Sequence, residues 1–363
     1  MLREIGSNFW MDPTDRYDEA VNITPEMFGI RGSDYTWLST GRSAISMAID
    51  EAEKRNPCIE RIALVPSYTC DTVIAPFLQA DYKVETLAVD GRLCIKGGEL
   101  LDAAKNANAG IILLHHYFGF NTIPGWKDVK KKIEALGIVV IEDRTQCLYS
   151  SFETLDADYV VGSIRKWHGV PDGGFLVCRE GSLSNKPEES DLILEQAKKK
   201  AAILKYNYLY HQQGTKDQFL DAFAKAESIL DIQTKRYAIS DTSLQMQACL
   251  DAEGLKEKRR QNYAYLLEHL TGMESISFLF PELPKEITPL YCPILTMDRV
   301  RVQSHLRDSA IYAPVIWPKS EKLPEINGKA DVLYTSMLCI PIDQRYGSEE
   351  MKKITECLYR CFE

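Results

Sequence analysis

From about Arg61 to Arg179 the chain alternates short apolar runs with amphipathic stretches. The runs are RIALVPSY, YKVETLAV, AGIILLHHYF, GIVVIED, ADYVVGSI and GGFLVCR, and the helical PGWKDVKKKIEAL separates the third from the fourth. Continuously apolar runs mark strands covered on both faces, and strands interleaved with helices predict an α/β domain with a mainly parallel sheet. Just upstream, TGRSAISMAIDEAEKR places Ile45, Ala48, Ile49 and Ala52 on one face of a helix entered through a glycine turn.

After Arg179 comes a polar break, GSLSNKPEESD, and then helical patterns rich in Lys, Glu, Ala and Leu as far as about Leu270. The remainder, from SISFLF through PLYCPILT, RVQSHLRDS, IYAPVIW and MLCIPI to a terminal helix, reads as a small α+β domain. A chain of 363 residues exceeds what one core usually fills, and the pattern divides it into a large domain over 1–250 and a smaller one over 251–363.

Composition narrows the classes of function. Apolar residues at 45% and charged residues at 26% are those of an ordinary globular protein. The 43 basic residues are scattered among 52 acidic ones, for a net charge of -9, which excludes nucleic acid as a partner. The start, MLREIGSNFWMDPTDRYDEA, has no apolar core of signal type, and no stretch approaches bilayer-spanning length, so a cytoplasmic location without a membrane partner is expected. Ten cysteines are spread along the chain, some within apolar runs such as FLVC (Cys178) and MLCI (Cys339), as buried reduced thiols would be. Cys357 and Cys361 lie one helical turn apart with no second pair or histidine beside them, so no zinc site is expected.

Four local features fall at strand ends or helix starts, where open α/β sheets bind ligands. Thr40-Gly41-Arg42-Ser43 opens a helix whose free N–H groups and dipole favour a phosphate; its ordinary alternative is a plain helix cap. Glu142-Asp143-Arg144-Thr145-Gln146 ends a buried strand, and Asp143 could serve a ligand, pair with Arg144 or cap a helix. A glycosidase pair is a poorer reading, because neighbours on a strand point to opposite faces. Ser163-Ile164-Arg165-Lys166 follows the strand ADYVV and precedes GVPDGG; Lys166 is either a desolvated amine suited to Schiff-base chemistry or a surface lysine. His115-His116 would face opposite ways on a strand, which argues for packed or substrate-facing histidines and against a metal site.

Taken in order, these pieces resemble the DegT/DnrJ/EryC1 family of pyridoxal-phosphate-dependent aminotransferases, which have fold type I. TGRSA resembles the family's phosphate turn, VPSYTCDT its VPS-x-T segment, HHYFG its H-x-x-G, IEDRTQ its ED-A-A-Q, and SIRKWHGVPDGG its serine, lysine and double glycine. The resemblance runs from Thr40 to about Cys178, with a fainter echo in CIPIDQRYGSEEMKKI.

The resemblance implies a large domain with a mainly parallel sheet plus a smaller α+β domain, and pyridoxal 5'-phosphate as cofactor. It makes Lys166 the Schiff-base lysine and proton shuttle, Asp143 the partner of the pyridine nitrogen and Gln146 the partner of the ring hydroxyl. Ser163 and the backbone of Gly41, Arg42 and Ser43 would hold the phosphate. It also implies an amino donor such as glutamate, a keto-sugar acceptor, nucleotide-linked in the family, and a homodimer. The roles agree with elementary chemistry, since a carboxylate keeps a pyridinium an electron sink and a primary amine can take and return a proton.

The chain departs from the family in places. Cys70 stands where an aromatic residue often covers the pyridine ring, leaving the thiol, Tyr68 or His116 for that place. Ser163 and Lys166 are closer in sequence than in most sugar aminotransferases. The family's partner-subunit asparagine has Asn207, or the segment KRYAISDTSLQ, as counterpart, and Arg345 is a candidate for an anionic substrate or for a surface salt bridge. Two other classes of reading stand beside the aminotransferase: a lyase or dehydratase using the same cofactor, which loss of the lysine would favour, and a non-catalytic sensor or scaffold. A generic nucleotide-binding fold lacks its GxGxxG.

Overall fold

In a computed structural model the described residues are 4–17, 22–323 and 329–363. The strands are β1 (Ile5–Gly6), β2 (Asp34–Leu38), β3 (Ile62–Pro66), β4 (Lys83–Leu87), β5 (Ile111–His115), β6 (Val139–Asp143), β7 (Tyr159–Ser163), β8 (Gly174–Cys178), β9 (Ser277–Phe278), β10 (Cys292–Leu295), β11 (Ile311–Tyr312) and β12 (Met337–Ile340). Helices α1 (Gly41–Arg55), α2 (Asp71–Gln79), α3 (Gly97–Ala107) and α4 (Trp126–Ala135) alternate with the first of these strands. Helices α5 (Leu192–Tyr206), α6 (Lys216–Ile232), α7 (Asp241–Ala248) and α8 (Ala252–Leu270) form the long helical stretch, and α9 (Arg299–Asp308), α10 (Lys329–Ser336) and α11 (Ser348–Phe362) follow.

A seven-stranded sheet in the order β2-β8-β7-β6-β5-β3-β4 carries the large domain. Its pairings are parallel except where β8 runs antiparallel to both β7 and β2. The six apolar runs became six of the seven strands. Every residue of β5 and of β8 is buried, as coverage on both faces requires. The seventh strand, β2, has no apolar run: DYTWL is half polar, starts with a carboxylate and takes its place at the edge by pairing along its length with β8.

Helix α1 buries Ile45, Ala48, Ile49 and Ala52, the face read from the sequence, and packs on β8, β7 and α2. In the C-terminal part a three-stranded antiparallel sheet, β12-β10-β9, packs with α8, α9 and α11. The N-terminal β1 pairs in parallel with β11 of this part, so the chain's start bridges to its end before the large sheet begins. All ten cysteines are free, and Cys178, Cys339, Cys357 and Cys361 are buried. Among the described residues no cluster of side chains could hold a metal ion, and no helix is long and apolar enough to cross a membrane.

Candidate active site

A cavity of about 850 Å³ opens at the carboxyl ends of the parallel strands. It is lined by Gly41, Arg42, Ser43, Cys70, Asp143, Gln146, Ser163 and Lys166, so every cofactor-contact residue expected from the sequence reaches it. Its other walls are the N-terminal segment around Ser7–Phe9, part of α5 and α6, and Tyr312 with Trp317 from the C-terminal part.

The strand ends sort the acidic residues by alternation. Glu142 and Asp143 are adjacent and point to opposite faces of the sheet. Glu142 is fully buried: Arg144 donates to its Oε1 at 3.2 Å, Leu155 N–H donates to its Oε2 at 2.8 Å, and His116 Nε2 lies 3.6 Å from Oε1, long for a hydrogen bond but within electrostatic reach. Burial opposes the Glu142 charge, yet His116 and Arg144 outweigh it and hold the carboxyl below its ordinary range. Arg144 is thus committed to Glu142, and Asp143 is left to the cavity. Asp143 accepts from Thr145, whose N–H donates at 2.8 Å and whose side chain also holds the carboxylate, and it has no ion pair among the described residues. Burial pushes its carboxyl pKa up, partly offset by Thr145.

The two histidines part in the same way. His115 sits opposite Asp143 in the β5–β6 register and shares its face of the sheet, with Nε2 3.1 Å from Thr69 Oγ1 and its ring edge-on to Tyr117 and Trp317. His116, on the other face, accepts from Thr122 N–H at 3.3 Å and packs against Phe152. Burial holds both imidazoles neutral, lowering their pKa, that of His115 to about 3. Of the residues weighed for covering a bound ring, Tyr68 is excluded: it is buried among Tyr117, Trp317 and Tyr334, away from the cavity lining. His116 lines the cavity but lies 3.6 Å from Glu142, and Cys70 lines it at the cap of α2 with Sγ 2.8 Å from Thr72 Oγ1; His115, not weighed for this place, also lines it.

Lys166 ends a short 3-10 turn after β7. Its side chain is open to water inside the cavity yet ringed by protein. That enclosure, reinforced by the Arg165 guanidinium, pulls the amine below the ordinary lysine value against the opposing pull of Cys70, Glu227 and Asp143. The amine has no hydrogen bond or ion pair among the described residues, and its place on the cavity separates it from a surface lysine. The double glycine fixes this turn to the helix start. Gly173 has φ +131, a Cβ on it would stand 2.5 Å from Ile164, and a Cβ on Gly174 would stand 2.4 Å from the Thr40 carbonyl carbon. Ser163 Oγ donates to Gly173 O at 3.0 Å, and Gly173 N–H donates to Ser39 O at 2.7 Å.

At the start of α1 the geometry corrects one expectation. Thr40 caps the helix by accepting the Ser43 N–H at 3.0 Å, so only the Gly41 and Arg42 N–H groups are left for a ligand. The Ser43 hydroxyl is also engaged, 2.9 Å from Thr40 Oγ1. The Arg42 side chain turns to Leu230 O at 2.8 Å and Asp231 at 3.7 Å, leaving its backbone at the cavity. Gln146 accepts Phe118 N–H on its amide oxygen at 2.8 Å, which keeps the amide nitrogen as the donor.

Arg345 is neither substrate-facing nor a surface pair. It clasps Asp343 through Nε at 2.7 Å and Nη2 at 2.9 Å, donates to Asn8 O and Ser7 O, and lies over the Phe9 and Trp10 rings. Its work is to hold the N-terminal segment against the cavity, together with Lys205, which donates to Asn8 O at 2.6 Å. Asn207 lies in a π-helical turn at the end of α5, outside the cavity lining, whereas Lys235 and Arg236 of KRYAISDTSLQ line it.

The residues fit pyridoxal phosphate on three counts: a buried carboxylate without a cation, an unpartnered amine, and free N–H groups at a helix start, all on one cavity. No protein-family model matches the chain, and no curated protein matches it in sequence. Solved structures do match it. PseC of Helicobacter pylori, an aminotransferase involved in the biosynthesis of pseudoaminic acid, has 14% identity and a TM-score of 0.65 over 93% of this chain and 89% of its own. The sugar aminotransferase CalS13 of Micromonospora echinospora has 14% identity and a TM-score of 0.64 over 90% of this chain and 87% of its own. A DegT DnrJ EryC1 StrS aminotransferase of Brucella abortus has 15% identity and a TM-score of 0.63 over 92% and 87%. The likeness shows the fold: the chain has that of these aminotransferases, the type I fold of pyridoxal-phosphate-dependent transferases. That is the fold its motifs implied.

Proposed function

We propose that the chain is a cytoplasmic, homodimeric aminotransferase that uses pyridoxal 5'-phosphate to pass an amino group from glutamate or a similar donor to a keto-sugar. Residues 1–250 would form the cofactor-binding domain and residues 251–363 the smaller one. The observation that carries the reading is the meeting of Lys166 and Asp143, an amine and a carboxylate within electrostatic reach of each other and neither in an ion pair among the described residues, on the cavity that also receives the Gly41 and Arg42 N–H groups. When bound, the cofactor supplies an electron sink for cleavage of a bond to the substrate's amine-bearing carbon.

The protein's own part is orientation and proton movement. Asp143, short of a cation, favours the protonated ring nitrogen, and the Gln146 amide nitrogen donates to the ring hydroxyl. Gly41 and Arg42 present N–H donors to the phosphate at the positive end of α1. The Lys166 amine, its pKa lowered by enclosure and by Arg165, can take a proton at Nζ and return it. The sugar acceptor is supported by the motif resemblance and by the fold shared with sugar aminotransferases. The retained lysine favours transamination over dehydration.

Single-turnover release of 2-oxoglutarate tests this. Protein loaded with cofactor and given glutamate should release about one equivalent per site without an acceptor, as ping-pong transfer requires. No release from any amino donor, with cofactor held at Lys166, would favour the scaffold reading.

A further inference from the structure

Three of the charged residues that line the cavity, Arg165, Lys198 and Glu227, meet in one cluster near Lys166. Arg165 Nη2 donates to Glu227 Oε1 at 3.0 Å, and Lys198, on α5, reaches the same oxygen. The Lys198 side chain is only 7% exposed, a burial that an ammonium tolerates only with an anion close by. One carboxylate therefore serves two cations, and the trio is left one positive charge in excess.

The trio stands at the helix-start end of the cavity. Arg42, which offers its N–H at the start of α1, binds Leu230 O with its side chain at 2.8 Å, one turn beyond Glu227 on α6. Arg165 follows Ser163 by two residues, and Ser163 Cβ lies 3.4 Å from the position a Cβ on Gly41 would take. Arg165, Lys198 and Glu227 line the same cavity as Gly41 and Arg42.

We infer that Lys198 and Arg165, held in place by Glu227, form the cationic half of the subsite for the cofactor's phosphate, the Gly41 and Arg42 N–H groups being the other half. The inference rests on the cofactor reading. Charge decides it: a phosphate monoester carries about -1.5 to -2, whereas a helix start offers only about +0.5. The shortfall is about one charge or more, and the trio's excess supplies it. Burial, followed by Arg165, lowers the Lys198 amine to about 8, as befits an ammonium with less anion near it than it needs. The competing possibility is an ionic staple that ties α5 and α6 to the Lys166 turn and never meets a ligand.

Comparing pyridoxal phosphate with pyridoxal, which lacks the phosphate, separates the two. Lys198→Gln should weaken pyridoxal phosphate by about tenfold or more and leave pyridoxal binding unchanged. Lys198→Arg should restore most of the difference. Arg165→Gln, at a more exposed position, should show the same selective loss should Lys198→Gln fold poorly. Loss of both compounds in equal measure, or of neither, would overturn the inference while leaving the cofactor reading standing. Unaltered protein that binds neither compound would overturn the cofactor reading and this inference with it.

Discussion

His115 stands opposite Asp143 in the parallel register of β5 and β6, and the residues one step further round, His116 and Glu142, meet on the other face of the sheet. The alternation separates two jobs within four residues. Glu142 and Arg144 neutralise each other in the core beside the His116 imidazole, and Asp143 is kept free of Arg144 for whatever enters the cavity. The predictions that follow rest on this division.

Asp143→Asn should cut turnover by about 10²–10³-fold, the scale for loss of one preorganised electrostatic partner, without loss of fold. The stability effect has a definite sign. The folded carboxyl has a raised pKa, so the folded state holds its proton at pH values where the unfolded state has released it, and stability falls as pH rises through that window. The variant should therefore melt at the same temperature as the unaltered apoprotein in acid and at a higher one near neutral pH. Thermal melts across pH check this.

Glu142→Gln should behave in the opposite sense. It leaves Arg144 buried without its counter-charge, and the cost should be about 3–5 kcal/mol. Urea unfolding should show the loss at neutral pH. Because the Glu142 carboxyl is held below its ordinary range, its contribution is present above the unfolded pKa and fades as pH falls through the folded one.

Gly174→Ala would set a methyl group 2.4 Å from the Thr40 carbonyl carbon. The strand must move from the helix start, at a cost of about 1–3 kcal/mol. Since that contact ties the Lys166 turn to α1, cofactor affinity should fall alongside stability, as titration at fixed temperature would show.

Cys70 is partly exposed at the cavity, while Cys58 and Cys249 are exposed elsewhere. Bound pyridoxal phosphate should slow alkylation of Cys70 and leave Cys58 and Cys249 unaffected. Mass spectrometry of the labelled peptides distinguishes the three.

Much of this was legible in the sequence because buried parallel strands write themselves as continuous apolar runs. Strand β2 was not, since DYTWL has neither a run nor a clean alternation and depends on β8 to be a strand at all. At the site, motif order brought Gly41, Asp143, Gln146, Ser163 and Lys166 together, for each opens a helix, closes a strand or lies within three residues of a strand's end. The Lys198–Glu227–Arg165 trio was hidden because its members come from α5, α6 and the β7 turn and meet only through packing. Lys198 carried one faint signal, a basic position within AKKKAA on a helix face that also buries Leu194, Ala201, Ala202 and Lys205. Arg345 misled because a loop arginine near the C-terminus looks free until Asp343 and the carbonyls of Ser7 and Asn8 are seen to occupy it.

Lys166 is the residue proposed to carry the cofactor. Purified protein would be incubated with pyridoxal phosphate, reduced with borohydride and digested, and the modified peptide sequenced by mass spectrometry. A single pyridoxyl adduct on Lys166 is expected, absent from Lys166→Ala, a variant that should fold normally because the amine has no partner among the described residues to lose. Adducts scattered over surface lysines, or an adduct persisting elsewhere in Lys166→Ala at equal yield, would contradict that role.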